Sequence, residues 1–178
     1  MEQRNLDYAR SGLNISEAVM EAVSSGRTTG KRPLITWDGH TVTTGDIWEV
    51  PPAGRLTITI DQARSGLRQG LEIQIPQGGI VFADGTLADR MHMWHDDELT
   101  NTATYRYSAP SKTLLTCNIY EQTYDGRRTP RLERWGAWAG MWIQQPTHRE
   151  RVYHCNHGET HPPTFQDLTY RLSISVGP

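Results

Sequence analysis

Apolar and polar residues alternate along much of this chain. In the clearest segment, residues 168–176, every second residue from Leu168 to Val176 is apolar and its neighbours are polar. A period of two places successive side chains on opposite faces of an extended strand. The same reasoning predicts strands at residues 34–38, 40–50, 56–61, 71–75, 80–82, 90–95, 102–108, 115–120 and 151–157. Many short strands separated by Gly, Pro and Asp-Gly are typical of sandwiches and barrels.

The predicted fold class is therefore all-β. We expect an antiparallel β-sandwich of jelly-roll or C2-like type with one short N-terminal helix. A closed lipocalin-like barrel is the alternative, although the strand lengths vary more than an up-and-down barrel needs. Residues 1–30 are expected to form an N-terminal arm and the helix, and residues 31–178 a single sandwich domain.

The helix is predicted at residues 14–25. Asn14 can act as the N-cap, Glu17 completes a capping box, and Gly26 is suited to end the helix. The expected apolar stripe consists of Ile15, Val19 and Val23, with Ala18 and Ala22 beside them.

Residues 112–144 are predicted to form the centre of the fold, as two long strands joined by a loop. The first strand shows the alternation of a half-buried strand, with Leu115, Cys117 and Ile119 between polar or amphipathic neighbours. Asp125-Gly126 is a turn signal. The chain returns through three closely spaced tryptophans, Trp135, Trp138 and Trp142. On an extended strand Trp135 would point to the opposite face from Trp138 and Trp142, so at least one ring is a candidate for a surface or pocket position.

Composition narrows the possible functions. The net charge of −2 argues against a general nucleic-acid-binding protein. Apolar runs are too short to span a membrane, and the polar N-terminus lacks the apolar core of a signal peptide, so a cytoplasmic location is expected. In that compartment Cys117 and Cys155 are expected to be free buried thiols; a bridge between neighbouring strands is the alternative.

The tryptophans suggest a site for a small ligand. Sugar-binding sandwiches use indole rings as stacking platforms, with polar side chains beside them. The candidate residues here are Trp135, Trp138, Arg134, Tyr120 and Asn118. Alternatively, these rings fill a core that has only two phenylalanines.

Two groups of histidines suggest a divalent metal. His92, His95 and Asp96 form the first group, and His154 and His157 the second. Imidazole and carboxylate suit zinc or iron, as in cupin-like enzymes, and the acidic run at residues 96–98 would suit calcium. Residues three apart on a strand point to opposite faces, however, so solvent-exposed polar residues are the alternative interpretation.

Three functional hypotheses follow. The first is a module that binds a carbohydrate or another small molecule on a Trp/Arg platform. The second is an enzyme acting on a small molecule, either metal-dependent and cupin-like or with a metal-free pocket. The third is a protein-interaction component, such as an immunity or assembly protein, which would bind a protein partner.

Overall fold

The computed structural model describes residues 6–28, 32–97, 101–122 and 131–177. A 3-10 turn at Tyr8–Arg10 precedes the helix α1, Ile15–Ser24. The strands are β1 (Ile35–Trp37), β2 (His40–Thr43), β3 (Asp46–Glu49), β4 (Ala53–Ala63), β5 (Gln69–Gln74), β6 (Gly79–Val81), β7 (Leu87–Ala88), β8 (Arg90–Trp94), β9 (Thr102–Ser108), β10 (Thr113–Gln122), β11 (Arg131–Glu133), β12 (Gly140–Thr147), β13 (Glu150–Asn156) and β14 (Leu168–Ser175).

These strands form two antiparallel sheets. The large sheet has the order β1-β2-β12-β13-β14-β4-β9-β6-β7. The small sheet has the order β11-β10-β5-β8, and β3 also pairs with β10. The predicted all-β sandwich with one short helix is confirmed. The barrel alternative is wrong, because neither sheet closes on itself within the described ranges.

The main core lies between the two sheets. On β14 the alternating residues Leu168, Tyr170, Leu172 and Ile174 are buried, as the sequence predicts. They pack with apolar residues of β4 and β5 in one continuous cluster. Burial of this apolar surface is the main force that holds the two sheets together.

A second apolar cluster lies where α1 packs on the end of the large sheet. The predicted capping box is present: Asn14 accepts a hydrogen bond from the Glu17 N–H, and the Glu17 carboxylate accepts one from the Asn14 N–H. The buried helix residues are Ile15, Ala18, Val19 and Ala22. Val23 is exposed, contrary to the predicted stripe, because a four-residue step overshoots one helical turn and rotates each successive residue by about 40°.

Strand β10 differs from its predicted half-buried form, because its centre is buried on both faces. Thr116 and Asn118 point toward the large sheet, where they bond the Tyr170 hydroxyl and the Asn156 carbonyl. Cys117 and Ile119 point to the outer face of the small sheet and are buried there. The alternation of apolar and polar residues along β10 therefore does not show which of its faces contacts solvent.

The two long strands predicted at the centre, β10 and β12, belong to different sheets. Strand β11 pairs with β10, and residues 134–139 then cross to the large sheet. We call residues 134–139 the crossing segment. Trp135 and Trp138 lie in this segment and not in a strand. The predicted turn at Asp125-Gly126 lies outside the described residues.

Within the described residues, no helix has the length and apolar character needed to cross a membrane.

Candidate functional site

A pocket of about 330 Å³ opens on the outer face of the small sheet. Its floor is formed by β10 and β5, because Cys117 pairs directly with Glu72 and Leu115 with Gln74. Direct partners in an antiparallel pair share a face, so these four side chains project together. Trp135, residues 32–33 and residues 44–47 also line the pocket.

The pocket lies beside a gap between two short strands. Strand β3 pairs with the first part of β10, ending at Thr116, and β11 pairs with the last part, beginning at Tyr120. Both strands lie on the edge of β10 that faces away from β5. Trp135 lies at this gap, where a Cβ atom added to Gly45 would be 3.7 Å from the indole Nε1.

Trp135 has an unusual environment and backbone. Its side chain is 52% exposed, whereas most large apolar side chains of the described residues are buried. Its φ of 59° lies in the left-handed region, which is costly for a large side chain. The Arg134 guanidinium lies 5.7 Å from the ring centroid. This contact places a positive charge beside the ring at the pocket.

Glu72 supplies a buried carboxylate to the pocket floor. Arg134 Nη1 lies 2.9 Å from Oε1 and 2.8 Å from Oε2, and His92 Nε2 lies 2.8 Å from Oε2. Arg90 Nε is more distant, at 4.0 Å from Oε1. A carboxylate on a side chain that is only 5% exposed requires such partners, because burying an isolated charge is expensive.

A second buried carboxylate belongs to Asp46, which is also among the residues that line the pocket. Asp46 pairs directly with Thr116, so its side chain faces the large sheet. It accepts hydrogen bonds from the guanidinium groups of Arg32 and Arg151. The Tyr153 hydroxyl also donates to it, at 2.9 Å. Burial and the nearby Asp46 charge raise the pKa of Tyr153 well above its ordinary value, so the phenol keeps the proton that it donates.

Cys117 is not activated as a nucleophile. Burial, and then the neighbouring Glu72 charge, raise the pKa of its thiol to about 12. Burial also raises the pKa of Cys155, which lies in the main core. Both cysteines are free, as predicted from the sequence, and the alternative of a bridge between them is wrong. Nucleophilic chemistry needs the thiolate, so neither thiol is suited to it.

Of the five predicted platform residues, the structure brings Trp135 and Arg134 together at the pocket. Trp138 instead packs against Trp37 and His161, with centroid distances of 6.1 and 4.1 Å. Asn118 and Tyr120 lie on the opposite face of β10 from the pocket floor. The Tyr120 hydroxyl donates to the Gly136 carbonyl, so this side chain supports the crossing segment from beneath.

The predicted metal ligands lie in separate places. His92 bonds Glu72 on the outer face of the small sheet, His95 Nδ1 lies 2.9 Å from the Gln69 carbonyl oxygen, and Asp96 pairs with Arg68. His154 stacks on Trp142 at the outer face of the large sheet, and His157 is buried against Tyr120. Among the described residues, no group of three or more His, Cys, Asp or Glu is placed to hold a metal ion.

Sequence reasoning missed three charged residues of the pocket: Arg32, Asp46 and Glu72. Glu72 alternates with Leu71 and Ile73, a pattern that ordinarily indicates a solvent-facing position. Asp46 and Glu72 come to the same pocket lining because β3 and β5 pair with opposite edges of β10, although their side chains lie on opposite faces of that sheet. Local sequence carries no signal of that pairing.

No protein-family model, curated protein or solved structure matches this chain.

Proposed function

We propose that this chain binds a small molecule in the Trp135 pocket, with a ring of the ligand stacked on the indole. The observation that carries the proposal is Trp135 itself. A half-exposed indole forgoes part of the roughly 1.5–3 kcal/mol that full burial of a large apolar side chain provides. Its left-handed backbone adds a further cost. A ligand that covers the ring would offset both costs.

The size and lining of the pocket fit a compact ligand. A volume of about 330 Å³ is near the lower end of the range found for small-molecule sites. Leu115, Cys117 and Ile47 provide an apolar surface, and Gln74 and Arg32 provide hydrogen-bond donors. An apolar lining with a few placed polar groups is typical of such sites. Carbohydrates are one class of ligand with this combination, because sugar rings have an apolar face and polar edges.

A ligand screen followed by tryptophan emission tests the proposal. Monosaccharides and small metabolites would be titrated into the wild-type protein and into Trp135→Phe, and calorimetry would give the affinity of each hit. We expect hits whose emission change is reduced in Trp135→Phe and whose binding is lost in Trp135→Gly. Trp142→Phe is the matched control, because Trp142 lies on the outer face of the large sheet.

Two results would overturn the proposal. One is a set of hits that bind Trp135→Gly as tightly as the wild type. The other is a screen without hits, combined with a large loss of stability in Trp135→Gly, which would assign the ring a purely structural role.

A further inference from the structure

We infer that the ligand of the Trp135 pocket is a small ring-bearing carboxylate, bound through Arg32. This inference rests on the proposed function and names the chemistry of its ligand. The ring could belong to a sugar acid or to an aromatic acid, since both present a carboxylate on a ring. Two features of the molecule support it: the charges next to the pocket and the hydrogen-bonding capacity that the pocket side chains retain.

Arginines outnumber acidic residues in the two ion-pair clusters next to the pocket. Asp46 and Glu72, the acidic residues of these clusters, are both among the residues that line the pocket. Each is paired with two arginines: Arg32 and Arg151 at Asp46, and Arg90 and Arg134 at Glu72. Among the described residues, the two clusters together contain four guanidinium groups and two carboxylates, an excess of two positive charges, and Arg32 is the arginine among them that lines the pocket. The whole chain has a net charge of −2, so the positive charge is a local feature. A local excess of one sign attracts a ligand of the opposite sign.

The two carboxylates have little capacity left to accept hydrogen bonds. A carboxylate offers about four acceptor positions. Asp46 already accepts from Arg32, Arg151 and Tyr153. Both oxygens of Glu72 are contacted by Arg134, and one of them also by His92. The acidic residues of the pocket therefore offer few acceptors to the hydroxyl groups of a neutral sugar.

Arg32 retains donors for the ligand. A guanidinium carries five N–H donors, and among the described residues Arg32 uses Nη1 for Asp46. Its side chain is 31% exposed and lines the pocket. A planar guanidinium fork matches a carboxylate in two parallel hydrogen bonds. An acid held in this way would place its ring toward Trp135, which lines the same small pocket.

Matched pairs of acid and neutral ligands test the inference without any mutation. Glucuronate would be compared with glucose, and benzoate with benzyl alcohol, by calorimetry at low ionic strength. We expect the acid of at least one pair to bind at least about tenfold more tightly than its neutral partner, because a charge-assisted hydrogen bond is stronger than a neutral one. A preference for glucuronate over glucose would indicate a sugar acid as the ligand, and a preference for benzoate over benzyl alcohol would indicate an aromatic acid. Added salt should weaken binding of the acid.

Variants of Arg32 test whether the preference for the acid over its neutral partner depends on this side chain. Arg32→Gln should remove most of the tenfold preference, and Arg32→Lys should retain part of it, because lysine keeps the charge but not the fork. Arg171→Gln is the matched control, since Arg171 pairs with Asp61 at an exposed position outside the pocket. The fraction of folded protein would be checked by circular dichroism. If Arg32→Gln does not fold, the inference is tested with Arg32→Lys and with the acid and neutral ligand pairs on the wild-type protein.

The outcomes separate this inference from the proposed function. Neutral ligands that bind in a Trp135-dependent way as tightly as their acids would overturn the carboxylate inference and support the proposed function. An acid preference that persists in Arg32→Gln would overturn the role of Arg32. If neither acids nor neutral ligands bind, and the wider screen also gives no hit, the proposed function fails as well.

Discussion

At the scale of single residues, Trp135 combines a half-exposed indole with a left-handed backbone. Glycine adopts that backbone freely, so replacing Trp135 with glycine removes the ring and also relieves the backbone. We expect Trp135→Gly to keep a free energy of unfolding within about 1 kcal/mol of the wild type. Urea denaturation measures this difference. Trp37→Ala, which truncates a buried ring, is the comparison and should cost about 3–5 kcal/mol.

A loss of more than about 2 kcal/mol in Trp135→Gly would show that the ring contributes mainly to packing. It would weaken the argument that the indole is retained for a ligand.

The two thiols lead to a prediction of low reactivity. Because burial raises the pKa of Cys117 to about 12, very little thiolate is present at about pH 8. Cys155 is inaccessible in the main core, and burial raises its pKa as well. We expect negligible labelling of the folded protein by an aromatic disulfide reagent, and two labelled thiols per chain after unfolding in guanidinium chloride. Rapid labelling of one thiol in the folded protein would contradict the buried position of Cys117.

At the scale of elements, the N-terminus of α1 depends on a short polar motif. Asn14 and Glu17 satisfy each other's backbone N–H groups. Asn14→Ala removes one of these bonds and should lower the free energy of unfolding by about 1 kcal/mol. Val23→Ala is the control, since Val23 is exposed and should change stability by less than about 0.5 kcal/mol. Equal losses in the two variants, measured by urea denaturation, would contradict this role of the cap.

Three neighbouring strands of the large sheet carry a stack of rings. The Trp142 indole lies between His40 of β2 and His154 of β13, with centroid distances of 4.9 and 3.9 Å. Burial, and then the nearby His40, lower the pKa of His154 below its usual value, against an opposing effect of Asp61. The unfolded chain therefore binds a proton more readily than the folded one. Stability that is present above about pH 6.5 is lost as the pH falls toward the lower folded-state pKa.

His154→Phe tests this pH dependence, because phenylalanine can keep the stack without titrating. We expect the variant to lose less stability than the wild type between about pH 7.5 and pH 5.5. Urea denaturation at both pH values measures the difference. His157, whose pKa burial also lowers, is present in both proteins, so its contribution cancels. Parallel losses in the two proteins would show that protonation of His154 is not coupled to folding.

At the scale of the whole molecule, the two apolar clusters should differ in local stability. Strand β14 is paired on both sides, with β13 and β4, and its inner face lies in the main core. Helix α1 packs through the smaller second cluster. We expect amides of residues 168–175 to exchange with deuterium more slowly than those of residues 15–24, measured by mass spectrometry or NMR. Equal protection would indicate that both clusters unfold as one unit.

The sequence was sufficient to predict the sandwich and most of its strands. Residues 168–176 show why: one face is apolar and one polar, so the pattern and the burial agree. The alternation of apolar and polar residues does not predict the buried face of β10, because this strand is covered on both faces. Its polar residues Thr116 and Asn118 face the core, where they form hydrogen bonds. The pocket could not be predicted, because Arg32, Asp46 and Glu72 come together only through pairing between distant segments. The sequence indicates Trp135 only as one of several candidate rings.

The crossing segment also limits how the pocket could be redesigned. Three hydrogen bonds hold this segment in place. The Tyr120 hydroxyl donates to the Gly136 carbonyl, the Ser16 backbone N–H to the Ala137 carbonyl, and the Trp138 backbone N–H to the Gly158 carbonyl. An inserted residue would break several of these hydrogen bonds and shift the Trp135 ring away from the pocket. A protein engineer seeking a new specificity would therefore gain more from exchanging side chains at fixed length than from grafting a longer loop.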